Sequence, residues 1–591
     1  MVAKNYFQLF YLSFKDYKFQ ILSLAVLGFV GGLLGGLGIN ALIPLFGLVT
    51  GGATATDPIS RWIELLFSSL GLTFNLSSLL IFVASLFVLK SILLIIFSYI
   101  NGRITADYEE KQRRLIFEST LKAKWSYLLN QKLGHLEKIL MTDVGYGKSM
   151  MVQVSSGMLV VTNLLVYTLV AVNVSWSITV FTFLTAGAFF ALIFRPIVGR
   201  VKSIAEEDER LSKEISHYLN QQVVGMKSIK IMSVVDQMIK IARDYFHQVR
   251  HLRIRSNLTG SLSGVLIEPV SLIFLSILFA FAVKMPNFNL PAFLVVVYVS
   301  KQIFVYAEQL HSLILSAAGI LPFVHKTHDY KNETSTKQES DEGTLPFKFE
   351  TELTIKNLTF HYQSKAEAAL DKINAALKRG EITGLIGPSG TGKTTLVDII
   401  LRLFEAEQGE IRLDGVLIKE IKLDDWRRRI GYVSQDVFLI NDTIAANIRF
   451  YEDSLTQAQI EAAAHSAQVH QFIKNLPEGY ETVVGERGLL LSAGQRQRIA
   501  IARVLAREPE LLILDEATSS LDNESEAEIQ KVINSLRGKL TVLIIAHRLS
   551  TVRLVDRLIV LQHGRVTEEG SPEKLLQNND SYFSKVYNLK N

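Results

Sequence analysis

Six apolar segments, each near the length a helix needs to cross a hydrocarbon layer, crowd the first half of this chain and constrain its fold most. A crossing takes roughly 20 helical residues. The candidate spans are Ile21–Val49, Leu79–Ile100, Met158–Val172, Ile178–Phe194, Leu262–Val283 and Leu290–Tyr306. The third and fourth are short and nearly contiguous, with a turn expected around Asn173–Ser177. Composition agrees, because 49% of the 591 residues are hydrophobic and only 20% charged, too few charges for an ordinary soluble enzyme of this length. Cysteine is absent, which excludes disulfides, thiolate metal sites and cysteine nucleophiles. The 12 histidines show no HExxH spacing, so no zinc site is expected.

Basic residues orient the spans. Lys4, Lys15 and Lys18 precede the first. Arg103, Lys111, Arg113, Arg114, Lys122, Lys124, Lys132, Lys138 and Lys148 lie between the second and third, and Arg200, Lys202, Arg210, Lys213, Lys227 and Lys230 between the fourth and fifth. The loops after spans one and five carry only Arg61 and Lys284. Positive residues stay cytoplasmic, so the N-terminus and both long loops are expected on that side. These loops have helical composition and read as extensions of the spans. The first span has no convincing cleavage site and is read as an uncleaved helix. Its Gly36–Ala41 stretch matches a dinucleotide fingerprint only formally, since no strand precedes it. Gly28, Gly32 and Gly36 instead give one smooth face for close helix packing.

Lys326–Gly343 is polar and turn-rich, after which short β-branched runs alternate with amphipathic stretches. The expected division is a membrane domain at 1–325, a linker at 326–348 and a soluble α/β domain at 349–591. In the last, Gly387-Pro388-Ser389-Gly390-Thr391-Gly392-Lys393-Thr394 follows the apolar run Ile382–Ile386 and opens an amphipathic stretch that begins at Thr395. That is the strand–loop–helix context of a phosphate-binding loop. Glycines let backbone N–H groups turn around phosphates, with a positive helix end behind them. Lys393 would neutralise the β- and γ-phosphates of ATP, and the Thr394 hydroxyl would coordinate Mg²⁺. Downstream, Leu511–Leu514 runs into Asp515 and Glu516. A buried parallel strand delivers its C-terminal residues to a nucleotide crevice, so Asp515 is suited to hold Mg²⁺ and Glu516 to polarise the attacking water.

Leu491-Ser492-Ala493-Gly494-Gln495, followed by Arg496-Gln497-Arg498, resembles the signature motif of ATP-binding-cassette (ABC) transporters, and it stands shortly before the acidic strand as in that family. The remaining family elements appear in order. Tyr362 is similar to the aromatic residue that stacks on adenine, Gln435 to the Q-loop glutamine, and Thr482–Gly488 to the segment preceding the signature in exporters. Ser519-Ser520-Leu521-Asp522 is similar to the D-loop and His547 to the switch histidine. The resemblance implies an all-α transmembrane bundle of six helices, exporter type, followed by an α/β P-loop NTPase domain of the ABC type. It implies ATP binding by Tyr362, the loop Gly387–Thr394, Thr395, Ser492, Gly494, Gln495 and Asp522. Catalysis would fall to Glu516, His547 and Gln435, and Mg²⁺ to Thr394, Gln435 and Asp515. With one phosphate loop, one signature and six spans, the chain resembles a half-transporter that dimerises, its Ser492 surface completing the partner's site. Ala493 stands where the family usually has glycine, so reduced rather than abolished signature function is expected. Glu516 and His547 are both present, and the symmetry argument favours a homodimer over a heterodimer. Segments near Leu140–Gly145 and Gly225–Ser233 are similar to the exporters' coupling helices.

The cargo is less well specified. Lys90, Glu268, Lys301 and Glu308 lie in or near the spans, where ionisable groups are costly; Glu268 is the candidate substrate contact. Gly36–Phe46 and the Glu268–Pro269 pair resemble bacterial exporters that flip lipid-linked saccharides. A lipid or lipid-linked glycan is therefore the first expectation, in a bacterial inner membrane with the ATP-binding domain in the cytoplasm. Multidrug or peptide export comes next, and an ATP-gated channel or regulator remains open. A soluble cassette ATPase of DNA repair or translation would lack the spans, so no nucleic-acid partner is expected.

Overall fold

A computed structural model describes residues 15–42, 44–45, 48, 58–69, 71, 73–132, 134–174, 176–189, 195–284, 290–362, 367–517, 521–546 and 548–585. The chain divides into two compact units, Met1–Ala123 with Tyr127–Gln338, and Lys124–Ser126 with Glu339–Asn591.

The first unit is helical: α1 (Lys18–Asn40), α2 (Pro58–Ser69), α3 (Leu76–Leu121), α4 (Val144–Val174), α5 (Trp176–Phe189), α6 (Arg195–Ile231), α7 (Val235–Ala282) and α8 (Leu290–Thr336). Among the described residues, five helices are long and apolar enough to cross a membrane: Lys18–Asn40, Leu76–Leu121, His135–Val172, Val235–Phe281 and Phe293–Thr336. The expected fourth span is represented by α5, with 14 residues, and residues 190–194 lie outside the described residues. Of the first expected span, Ile21–Asn40 is helical in α1, and Val49 lies outside the described residues. The turn expected around Asn173–Ser177 is shorter than that, since α4 continues to Val174 and α5 starts at Trp176. Helices α3, α7 and α8 have 46, 48 and 47 residues, more than twice a bilayer crossing, as helical extensions require.

The glycine face of α1 meets α4. A Cβ at Gly28 would come within 3.1 Å of Thr162 Oγ1, one at Gly32 within 3.3 Å of Val166, and one at Gly36 within 2.8 Å of Val166. Without side chains there, the helices approach closely enough for dispersion to act over their length, the main attraction available between helices in lipid.

The polar ends of the long helices are packed through hydrogen bonds. Ser119 and Thr334 share one at 2.9 Å, Thr120 and Tyr330 one at 3.2 Å, and the Tyr127 hydroxyl donates to Glu333 at 3.1 Å. These contacts correct the expected linker, because α8 runs on to Thr336. Tyr330 and Thr334, one turn apart, are buried against α3, a stripe that the polar composition around them conceals. The expected coupling segment Leu140–Gly145 is also corrected. It lies in a continuous helical run (His135–Lys138, a π-helical turn Ile139–Asp143, then α4), well after α3 ends at Leu121. At the second expected segment α6 ends at Ile231, Ser233 takes a left-handed φ of 55°, and α7 begins at Val235.

Within this run Lys138 donates to both oxygens of Asp143, at 3.0 and 2.9 Å, with Glu209 at 3.9 Å, and all three are buried. The ammonium also lies over the Phe323 ring of α8. Breaking a buried pair strands a charge and costs about 3–5 kcal/mol. Lys138→Met is therefore expected to lower the thermal unfolding temperature of the purified protein sharply, and Lys138→Met with Asp143→Leu to recover much of the loss. Equal losses in both variants would contradict this.

The second unit holds two sheets. The antiparallel one has order β2-β1-β4-β5, from β1 (Glu352–Phe360), β2 (Leu370–Lys378), β4 (Gln408–Leu413) and β5 (Val416–Leu417). The larger has order β10-β9-β3-β8-β7-β6, from β3 (Ile382–Ile386), β6 (Ile430–Val433), β7 (Leu511–Asp515), β8 (Thr541–Ile545), β9 (Arg557–Gln562) and β10 (Arg565–Gly570). Strands β3, β7 and β8 are buried at every position, as parallel strands covered on both faces must be. Helices α9 (Lys393–Ile400), α10 (Ala493–Leu505), α11 (Asn523–Leu536) and α12 (Leu549–Val552) complete the elements that frame the site.

Candidate nucleotide site

Strands β6, β7, β8 and β3 run parallel side by side, so their carboxyl ends open on one edge of the sheet. The phosphate-loop sequence leaves β3, Gln435 follows β6, Asp515 closes β7 with Glu516 next, and His547 follows β8 in the chain. Four candidate motifs thus arise at four adjacent strand ends, the place where open α/β sheets bind ligands. His547 itself lies outside the described residues, as do Ser519 and Ser520.

The loop needs its glycines. Gly387 and Gly392 have φ of 153° and 96°, and a Cβ would fall 2.0 Å from the Leu561 carbonyl oxygen at the first and 2.4 Å from that of Ala369 at the second. Lys393 begins α9 and donates to the carbonyls of Gly387 and Pro388, both at 2.9 Å, which curls the loop over the helix start. Thr391 donates to the Pro388 carbonyl at 2.9 Å, while Ser389 and Gly390 stay exposed at the apex. Burial pulls the Lys393 ammonium below its usual range, opposed by Glu516 and Asp515.

The carboxylates meet this loop. Thr394 Oγ1 donates to Asp515 Oδ2 at 3.5 Å, and Gln435 Nε2 donates to Glu516 Oε2 at 3.0 Å. Asp515 is buried, whereas Glu516 is half-buried with a left-handed φ of 49°, a strained backbone of the kind that collects at functional sites. A hydroxyl and a hard carboxylate converging in this way suit Mg²⁺, which takes oxygen ligands and keeps several waters. Tyr362 shares a hydrogen bond with Thr395 at 3.0 Å and sits edge-on to Phe360 and Phe404, which fixes its ring beside the start of α9.

The signature residues form a separate feature. Ser492 caps α10 by accepting from Gln495 N–H, and Gln495 reaches back to Ser492 N–H at 2.8 Å, a reciprocal capping box. The family departure at Ala493 now has a physical reading. Ala493 packs on the hydrophobic core, so one methyl is accommodated, whereas a Cβ on Gly494 would lie 2.2 Å from Ser525 Oγ. The glycine at which a side chain would collide with Ser525 is the one retained. Asp522 stands at the N-terminal boundary of α11, where the neighbouring Ser525 holds its carboxyl below the usual range. Glu268 is exposed on α7.

Two site residues escape a motif reading. The Tyr432 hydroxyl, on β6, donates to Asp515 Oδ2 at 3.3 Å. Asp398, on α9, has its carboxyl pushed up to about 6 by burial and then by Asp515. Both belong to ordinary strand and helix faces, and only the register of β6 with β7 and the pitch of α9 bring them here.

Comparison with known proteins agrees with the geometry. Residues 370–519 match a family model described as ABC transporter, and 27–300 one described as ABC transporter transmembrane region. An ATP-dependent lipid A-core flippase of Haemophilus influenzae (strain KW20 / Rd) is 31% identical over 523 residues, 85% of this chain and 86% of that protein. One from strain 86-028NP is 44% identical over 261 residues, 44% of this chain, and that match spans only 43% of the relative's length. A solved bacterial Atm1-family ABC exporter with ATP bound shares the fold, with a TM-score of 0.80 at 22% identity over 98% of each chain.

A raised carboxyl pKa means that the fold prefers Asp398 protonated. Its stabilising contribution is full below the ordinary carboxyl value near 4 and is lost as pH rises through about 6. Without Mg²⁺ or nucleotide, Asp398→Asn is expected to gain thermal stability relative to the parent between pH 4.5 and pH 7.5. A difference that does not change with pH would contradict the assignment.

Proposed function

We propose, for a chain that belongs to the ABC transporter family, that it hydrolyses ATP to flip a lipid or lipid-linked glycan between the leaflets of a membrane. The observation that carries the reading is the alignment with a lipid A-core flippase over 86% of that protein's length. The clustering of Lys393, Thr394, Gln435, Asp515 and Glu516 supports the ATP half independently.

In this reading the backbone of Gly387–Thr394 cradles the phosphates and the Lys393 ammonium exchanges its two carbonyl partners for phosphate oxygens. Tyr362, held beside Thr395, offers its ring to the adenine. Thr394, Asp515 and Gln435 hold Mg²⁺, which supplies positive charge against the charge developing on the phosphates. Glu516 polarises the attacking water, and Gln435, hydrogen-bonded to it, orients its carboxylate. His547 donates to the γ-phosphate from the end of β8. Ser492, Gly494, Gln495 and Asp522 complete the site of a second copy of the chain, making a homodimer with two ATP sites. The membrane is a bacterial inner membrane, with the N-terminus and the ATP-binding domain in the cytoplasm. Glu268, ionisable and exposed on α7, contacts the transported headgroup.

Glu516→Gln is expected to keep ATP binding and to lower the hydrolysis rate about 10²–10⁴-fold, the worth of a general base. Turnover near the parent rate would show that Glu516 is not the principal base. In nanodiscs, parent ATPase activity is expected to rise with lipid-linked saccharides more than with drugs or peptides. Stimulation by drugs or peptides alone would overturn the cargo assignment, and unchanged transport in Glu268→Ala would remove that residue from the cargo path.

A further inference from the structure

We propose that Glu526 is a positioning residue for ATP hydrolysis, holding through Arg548, the next residue in sequence after His547, the start of α12 in fixed relation to the Leu521 carbonyl. This rests on the reading of His547 and Glu516 as hydrolytic residues. Glu526 lies in the first turn of α11 and is 7% exposed. Its Oε2 accepts from Arg548 Nη1, and its Oε1 accepts from Ser550 Oγ and, at 3.1 Å, from Gln530 Nε2. The other arm of the same guanidinium, Nη2, donates to the Leu521 carbonyl at 2.8 Å.

Location separates this pair from a merely structural ion pair. Arg548 is the residue after His547, Leu521 is the residue before Asp522, and Ser550 belongs to α12 just beyond. A planar guanidinium can serve a carboxylate and a carbonyl at fixed angles, which a lysine ammonium on a flexible stem cannot. The exit of β8 is also tied to the catalytic carboxylate's own backbone, since Glu516 N–H donates to the Ile545 carbonyl at 3.3 Å. One buried carboxylate and one guanidinium therefore join the Leu521 backbone to the start of α12, and a separate backbone hydrogen bond joins the exit of β8 to Glu516. Removing the charge of Glu526 frees Arg548 from α11 while leaving the phosphate loop untouched, so the loss should fall on turnover and not on nucleotide affinity.

The test uses the full-length protein in nanodiscs, with kcat and KM for ATP and thermal unfolding measured on Glu526→Gln, Arg548→Lys and the double variant. Each single variant is expected to lower kcat ~10–100-fold, the scale of a small misplacement of reacting groups, with KM within about twofold. The double variant should lose no more than the worse single one, as expected for residues acting as a unit. Unchanged kcat per ATP-binding site with only a lowered unfolding temperature would overturn the proposal. So would losses that multiply in the double variant. Should those variants fail to fold, Ser550→Ala keeps the ion pair and removes one bond to Glu526. It is expected to lower kcat roughly threefold to tenfold at constant KM, and an unchanged kcat there also overturns the proposal. Glu516→Gln is measured alongside: turnover in that variant would mean the hydrolytic reading had failed, whereas its inactivity beside a fully active Glu526→Gln would count against Glu526 alone.

Discussion

The parallel alignment of β3, β6, β7 and β8 is the constraint on which the nucleotide site depends. Parallel strands send their carboxyl ends to one edge, and each of these four strands leads there into a different chemical group. Burial of β3, β7 and β8 at every position makes the register costly to change. Small distances then follow: Thr394 to Asp515 at 3.5 Å and Gln435 to Glu516 at 3.0 Å, across up to 121 residues of sequence.

The helical unit solves a different problem along one continuous set of helices. In its apolar part, α1 approaches α4 through glycines, so backbone and small side chains replace the hydrophobic effect as the source of attraction. Elsewhere in the unit, the polar ends of α3 and α8 and the run that leads into α4 use a different chemistry. Ser119, Thr120, Tyr330 and Thr334 join α3 to α8 through hydrogen bonds, and Lys138 with Asp143 and Glu209 forms a buried ionic group. One helix thus follows two packing rules, selected by the solvent each part was built for.

This division explains what could be read from the chain. Apolar length revealed the spans and the glycine spacing revealed the packing face, because both are local patterns with a fixed period. Glycines at that loop spacing announced a tightly closed loop, and Gly387 and Gly392 take the conformations that close it. The end of α8 was hidden. Lys326–Thr336 carries the polar, turn-prone residues of a linker, yet Tyr330 and Thr334 meet partners more than 200 positions away. Tyr432, Asp398 and Glu526 were hidden for a related reason: their importance comes from strand register and helix pitch, and no spacing in the sequence announces it. Ala493 shows the reverse, a departure from family pattern that becomes ordinary once its methyl is found against the core and Gly494 against Ser525.

The central claim joins the two units functionally: ATP turnover at the strand-end site moves a lipid or lipid-linked glycan across the bilayer. The direct measurement is flipping of a fluorescent lipid-linked saccharide in proteoliposomes, read by loss of protection from a membrane-impermeant quencher. The account predicts saturable movement that requires ATP and Mg²⁺ and stops in Glu516→Gln. Movement at equal rate without ATP, or brisk ATP hydrolysis with the saccharide remaining in its leaflet, would contradict it.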